Sequence, residues 1–164
     1  MRALMPAFDC IQEYEQARSE RLWDGMSLWA TNRDPGAVYV LGYAAEIAVK
    51  CAYFRFSGFT IVQPIGHAEL NTAQARAHVL HVTAPREGFH SIRFWGDLLI
   101  EHRRAAARPL PAATEASLKV AVDAVYDRWW IEMRYKRAYS SRTDLEQLAA
   151  AVDWIDNHYV ALYT

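Results

Sequence analysis

The chain has 164 residues, 52% of them hydrophobic and 13% aromatic, with a formal net charge of −1. That length suits one domain, read as 1–164, and that composition excludes a disordered chain. A charge so near zero excludes whole-molecule attraction to nucleic acid or membrane, so any such contact has to come from a local patch.

Residues 8–30 carry Ile11, Tyr14, Leu22, Met26 and Trp29 at spacings of three and four, which predicts a first helix with Gly25 as its weak point. Asn32 to Gly36 breaks the pattern. The stretch from Asp34 to Ser57, DPGAVYVLGYAAEIAVKCAYFRFS, then stays apolar for several turns. Asp34 can cap a helix and Pro35 suits its first position. A helix apolar nearly all round is the buried centre of a helical protein. Only Glu46, Lys50 and Arg55 interrupt it. Glu46 precedes Lys50 by four residues, so the two are expected to pair on one face. They also break the run before ~18 uncharged residues accumulate, so no membrane span is expected.

Residues 58–70 have no period and read as a loop, with Phe59 to Val62 a brief strand candidate that lacks an obvious partner. Residues 71–82 predict a short helix. Residues 90–107 predict another, with Ile92, Trp95, Leu99, His102 and Ala106 on one stripe. Residues 114–134 predict a long amphipathic helix with Leu118, Val122, Val125, Trp129 and Met133 in register, ending at Arg134. Residues 135–140 read as a loop. Ser141 with Asp144, or Thr143 with Glu146, offers a capping box for the last helix. Its seam runs through Leu145, Leu148, Val152, Ile155, Tyr159 and Leu162. The expected fold is all-α: an antiparallel up-and-down helical bundle of about five to six helices.

The chain has no GxSxG, Walker loop, GxGxxG, HExxH or CxxC, and only 7 glycines, which removes support for the enzyme classes those motifs serve. Cys10 and Cys51 form no metal-type pair and read as buried thiols. His78 and His81, three apart with His67 upstream, lack a completing motif, so no metal and no cofactor is expected. His102 lies on an apolar stripe and reads as a core histidine with one nitrogen satisfied. His158 reads as solvated, and His90 as either a helix cap or a residue facing a cleft. No long apolar run precedes the first charges, so no signal peptide is expected and the location is expected to be cytoplasmic.

The segment from Asp127 to Arg142 is the most suggestive. It sets Arg128, Arg134, Lys136, Arg137 and Arg142 against Asp127 and Glu132, with Tyr135 and Tyr139 interleaved. Cations alternating with aromatic faces suit contact with phosphates and bases. The alternative is a solvated cluster that complements a helix C-terminus.

Three pieces together resemble the HEPN domain family of prokaryotes. LGYAAEIAVKCAYFR at 41–55 is similar to the family's second helix, with its Gly-Tyr-x-x-Glu-x-x-x-Lys core. GHAEL at 66–70 and FHSI at 89–92 both resemble its short His motif, and the choice between His67 and His90 stays open. WWIEMRYKRAYSSRTDLEQLAAAV at 129–152 resembles its Arg-Tyr helix end followed by a capped last helix. The resemblance implies a helical bundle that commonly dimerises, a role also suggested by Trp95, Tyr126, Trp129 and Trp130. It implies either a metal-independent endoribonuclease of toxin–antitoxin or defence systems, or an inactive module that binds RNA or nucleotide beside a nucleotidyltransferase-type protein.

The ribonuclease members carry Arg, four to six residues, then His. Arg134 matches the Arg, but the window for the His holds Tyr139, Ser140 and Ser141. Tyrosine moves protons poorly at neutral pH. The expectation is therefore a non-catalytic module binding RNA, nucleotide or a partner protein through Arg128, Arg134, Tyr135, Lys136, Arg137, Tyr139 and Arg142. As a ribonuclease it would use Arg134 with Tyr139 or His90 as substitute base. A bundle that only assembles is the third expectation.

Overall fold

The computed structural model describes residues 9–83, 88–129 and 141–164. Among the described residues there are six α-helices and one small antiparallel sheet: β1 (Asp9–Cys10), α1 (Ile11–Ala30), α2 (Asp34–Phe56), β2 (Pro64–Ile65), α3 (His67–Val79), a 3-10 turn (Gly88–His90), α4 (Ile92–Ala105), α5 (Ala112–Tyr126) and α6 (Arg142–Tyr163). The chain is an all-α bundle.

The sheet is the first departure from expectation. Asp9 lies opposite Ile65 and Cys10 opposite Pro64, so the strand in the 58–70 connection falls after Phe59 to Val62, and its partner is the chain just before α1. That pairing holds residues 9 and 10 extended and delays the first helix to Ile11. Glu13 then caps it by accepting the Cys10 N–H at 2.8 Å. Gly25 is a contact rather than a weakness. A Cβ there would meet Leu41 Cγ at 2.6 Å, so its absence lets α1 lie close to α2.

α2 begins at Asp34, with Arg33 rather than Asp34 in the capping position. The Asp34 carboxylate is instead directed at α6, where it accepts from Arg142 Nη1 at 2.9 Å. α2 packs against α1, α4 and α6, and Ala44, Ala48 and Ala52 are all buried. By length and composition α2 is apolar enough to cross a membrane, yet 83% of its most apolar stretch is buried within this protein, as in a core helix.

α3 starts four residues earlier than the apolar pattern predicts, because Glu69 accepts the Gly66 N–H at 2.8 Å and closes its first turn. α4 starts at a Ser91 cap whose Oγ accepts from Phe94 N. α5 is shorter than the predicted 114–134 helix: it ends at Tyr126, and Trp129 follows a turn instead of continuing the stripe. The Trp129 side chain is buried against Gly42 of α2. The part of that prediction covering 130–134 lies outside the described residues. α6 opens as expected, with Ser141 Oγ accepting from Asp144 N at 3.1 Å and Asp144 Oδ2 accepting from Ser141 N at 3.0 Å.

Side-chain pairs fix the directions. Arg18 with Asp156 and Glu15 with Tyr159 run α1 antiparallel to α6. Arg142 with Asp34 at one end, and Arg55 over the Tyr163 ring at the other, run α2 and α6 parallel. Arg93 with Asp123 and Arg104 with Glu115 run α4 antiparallel to α5. α3 lies at the C-terminal end of α2, where Arg76 reaches Ser57. One hydrophobic core extends from Ile11 to Leu162, and Trp95 and Trp129 belong to it.

Candidate functional site

α2 carries a charged pair into the core. Glu46 has no exposed surface, and Lys50 Nζ donates to its Oε1 at 2.7 Å. Burying one charge alone is costly, so each needs the other. The Lys50 ammonium also lies 5.4 Å from the Trp95 ring centre and 6.0 Å from that of Tyr14.

The second Glu46 oxygen, Oε2, faces His90 Nδ1 in a long contact of 3.4 Å. A carboxylate only accepts, so the imidazole turns Nδ1–H inward and leaves Nε2 as the outward nitrogen. The His90 side chain is 47% exposed. Its backbone is held in the 3-10 turn before α4, where Trp95 Nε1 donates to Phe89 O at 2.9 Å. Glu46, Lys50 and His90 thus form one unit: a buried carboxylate shared by a buried amine and a surface imidazole. Local sequence carries the Glu46–Lys50 spacing but no sign of the third member, 44 residues from Glu46.

Tyr14 and Tyr43 belong to the same neighbourhood. Burial, reinforced by Asp9, pushes the Tyr14 phenol above its usual range, and burial with Glu46 does the same for Tyr43. Both stay protonated and can donate. Burial also pushes the Cys51 thiol up to about 12, which leaves it inert at neutral pH.

Trp129, near the start of the basic segment, adjoins this unit. Trp129 packs on Gly42, where a Cβ would meet its Cγ at 2.1 Å, and stacks with Tyr43 at 6.5 Å between ring centres. Gly42 is one helical turn from Glu46. Arg128, at the start of the segment, is committed within the chain: its guanidinium reaches Ala124 O and Gln147 Oε1, and lies 3.7 Å from Asp144. Arg142, at its end, pairs with Asp34, lies 3.7 Å from Glu146 and sits over the Trp29 ring. These two arginines join helices. Arg134, Tyr135, Lys136, Arg137 and Tyr139 lie outside the described residues, as does Trp130.

The other histidines separate. His67 opens α3, while His78 and His81 lie at its far end, where His81 has φ 57°. His158 is not simply solvated: it stacks on Trp154 at 4.2 Å, with Nδ1 2.8 Å from Trp154 O. His102 is held at one nitrogen, as its apolar stripe suggests, and its partner is Arg76. Trp95 and Trp129, expected at an interface, are buried in the chain's own core. Apolar surface that stays exposed among the described residues includes Trp23 and Met26 on α1 and a groove of about 690 Å³ between α5 and α6, floored by Ala121, Ala124, Ala150 and Ala151 and flanked by Val120.

No family profile, curated protein or solved structure matches the chain.

Proposed function

We propose that this is a HEPN-like helical module that binds RNA or a nucleotide through residues 128–142 without cleaving it, as a cytoplasmic homodimer beside a nucleotidyltransferase-type protein. The observation that supports this reading is Trp129. Buried against Gly42 and Tyr43, it starts the basic, tyrosine-bearing segment one turn of α2 from the Glu46–Lys50–His90 unit. With Arg128 and Arg142 engaged in holding helices together, the ligand-binding role falls to Arg134, Lys136 and Arg137, with Tyr135 and Tyr139 as stacking faces. Phosphate contacts of this kind weaken as counterion competition rises. Titration of labelled single-stranded RNA, and of ATP, should give binding that falls with added salt and weakens in Arg134→Ala and Arg137→Ala. Absence of any salt-sensitive binding would leave the segment as a helix-closing cluster and end this proposal.

A second reading has one observation in its favour. His90 is backed by a buried carboxylate and turns its free nitrogen outward, the arrangement that orients an imidazole as a proton acceptor. A metal-independent endoribonuclease could use it in place of the missing histidine after Arg134. RNA cleavage with metal chelated, lost in both Arg134→Ala and His90→Ala, would establish this reading over binding alone.

A further inference from the structure

At the far end of α2 a guanidinium stands without a counter-charge. Arg76, half-buried on α3, donates through Nη1 to His102 Nε2 at 2.8 Å and contacts Ser57 Oγ at 3.4 Å. Both partners are neutral. Arginine can only donate, so His102 has to accept. Burial, and the guanidinium itself, hold this imidazole below its usual range and therefore uncharged at neutral pH. Among the described residues no carboxylate lies within 4.0 Å of Arg76, and its Nε–H and Nη2–H groups make no hydrogen bond within 3.5 Å, with the Tyr53 hydroxyl close to the guanidinium. Those groups make up one edge of the guanidinium fork, the edge that takes an oxyanion side-on with two hydrogen bonds.

A cavity adjoins Arg76. Its volume is about 180 Å³, and it is lined by Arg76, Ser57, Tyr53 and Thr72 together with Phe54 and Phe59. A cavity of about 150 Å³ lined by apolar side chains accommodates benzene, so this space suits a body of one ring. Glu69 also lines it, but sits two turns along α3 from Arg76, and its carboxylate is engaged with Gly66 N–H. The C-terminal carbonyls of α2 and α4 give Arg76 a favourable field. They do not fill the fork edge, and they leave the adjoining space open.

We propose that this cavity is a binding site for a small aromatic oxyanion, with the carboxylate or phosphate on Arg76 and the ring packed against the Phe54–Phe59 pair, which is itself in edge-to-face contact at 5.1 Å. His102 is then a positioning residue: it holds Nη1 and so aims the opposite edge into the cavity. Ser57 and Tyr53 supply hydroxyl donors beside the anion. The site is separate from the basic segment, since Ser57 lies fifteen residues beyond Gly42 on α2, about 22 Å at 1.5 Å per residue. It does not depend on the nucleic-acid reading.

The test uses the whole protein with benzoate, phenyl phosphate, inorganic phosphate and benzyl alcohol as probes, followed by calorimetry and ligand-observed NMR. Benzoate or phenyl phosphate should bind, and whichever is tighter identifies the anion. Arg76→Gln should weaken that probe by about tenfold or more, the scale of a charge-assisted hydrogen bond. Thr72→Trp changes an exposed residue and fills the cavity, so it should abolish binding while keeping the melting temperature; it serves if Arg76→Gln folds poorly. Three results would overturn the proposal: no aromatic anion bound at millimolar concentration, benzyl alcohol or inorganic phosphate bound as tightly as the aromatic anions, or binding unchanged in Thr72→Trp.

Discussion

Glu46 divides its two oxygens between Lys50 and His90, and nothing of it reaches solvent. Removing one member of such a pair strands the other as a buried charge, at a cost of about 3–5 kcal/mol. Glu46→Gln should therefore lower stability by about 3 kcal/mol in urea unfolding, while Glu46→Leu combined with Lys50→Met should recover most of that loss. An additive double variant would show that the two charges do not act as a pair. His102 gives a pH effect of definite sign. Its folded-state pKa lies below the usual imidazole value near 6.5, because burial and Arg76 disfavour the cation. The unfolded chain thus takes up the proton first as pH falls. The stabilising contribution is complete above the usual value and is lost as pH drops through it toward the folded value. Melting curves between pH 7.5 and 5, as rough limits around that value, should fall less steeply for His102→Gln than for the wild type.

At the scale of elements, close approach decides more than propensity. Gly42 lies inside a helix, where alanine is favoured by about 1 kcal/mol. Here the methyl group would occupy the space of the Trp129 ring, and overpacking of this kind costs about 1–3 kcal/mol. Gly42→Ala should lower the melting temperature and shift tryptophan fluorescence to the red as Trp129 leaves the core; a Trp129→Phe background should remove that shift. Ala48 occupies a comparable position on the same helix, buried among its neighbours, and Ala48→Leu should destabilise by about 1–3 kcal/mol in the same assay. The Ser141 cap behaves as its sequence suggests. Ser141→Ala should cost about 1 kcal/mol, measured by chemical unfolding, because the Asp144 N–H loses its acceptor.

At the scale of the molecule, α2 connects two separate regions. Its middle holds the Glu46–Lys50–His90 unit beside Trp129, and its C-terminal end meets Arg76 and the small cavity. The outer face of α5 and α6 carries the alanine-floored groove and exposed Val120, the surface we assign to a second copy in the proposed dimer. Exposed apolar side chains lining a groove between two helices suit contact with a further helix. Light scattering on the 18.8 kDa chain should return twice that mass at micromolar concentration, and Val120→Arg should return the monomer. A wild-type monomer under those conditions ends the dimer proposal.

The sequence by itself determined the helical class, the buried course of Asp34 to Phe56, the Glu46–Lys50 pair and the Ser141–Asp144 cap. Each is a local matter of periodicity, i,i+4 spacing or a box of four residues. Tertiary structure decided the rest. Only folding brings His90 to Glu46 and Arg76 to His102, since no local pattern encodes a meeting across separations of 44 and 26 residues. The early end of α5 was hidden for the same reason: Trp129 continues the helical period on paper, but in the fold it follows a turn and its ring is buried against Gly42. Propensity and spacing operate within a helix, whereas burial, charge pairing and close approach also operate between elements, and it is between elements that His90 meets Glu46 and Arg76 meets His102.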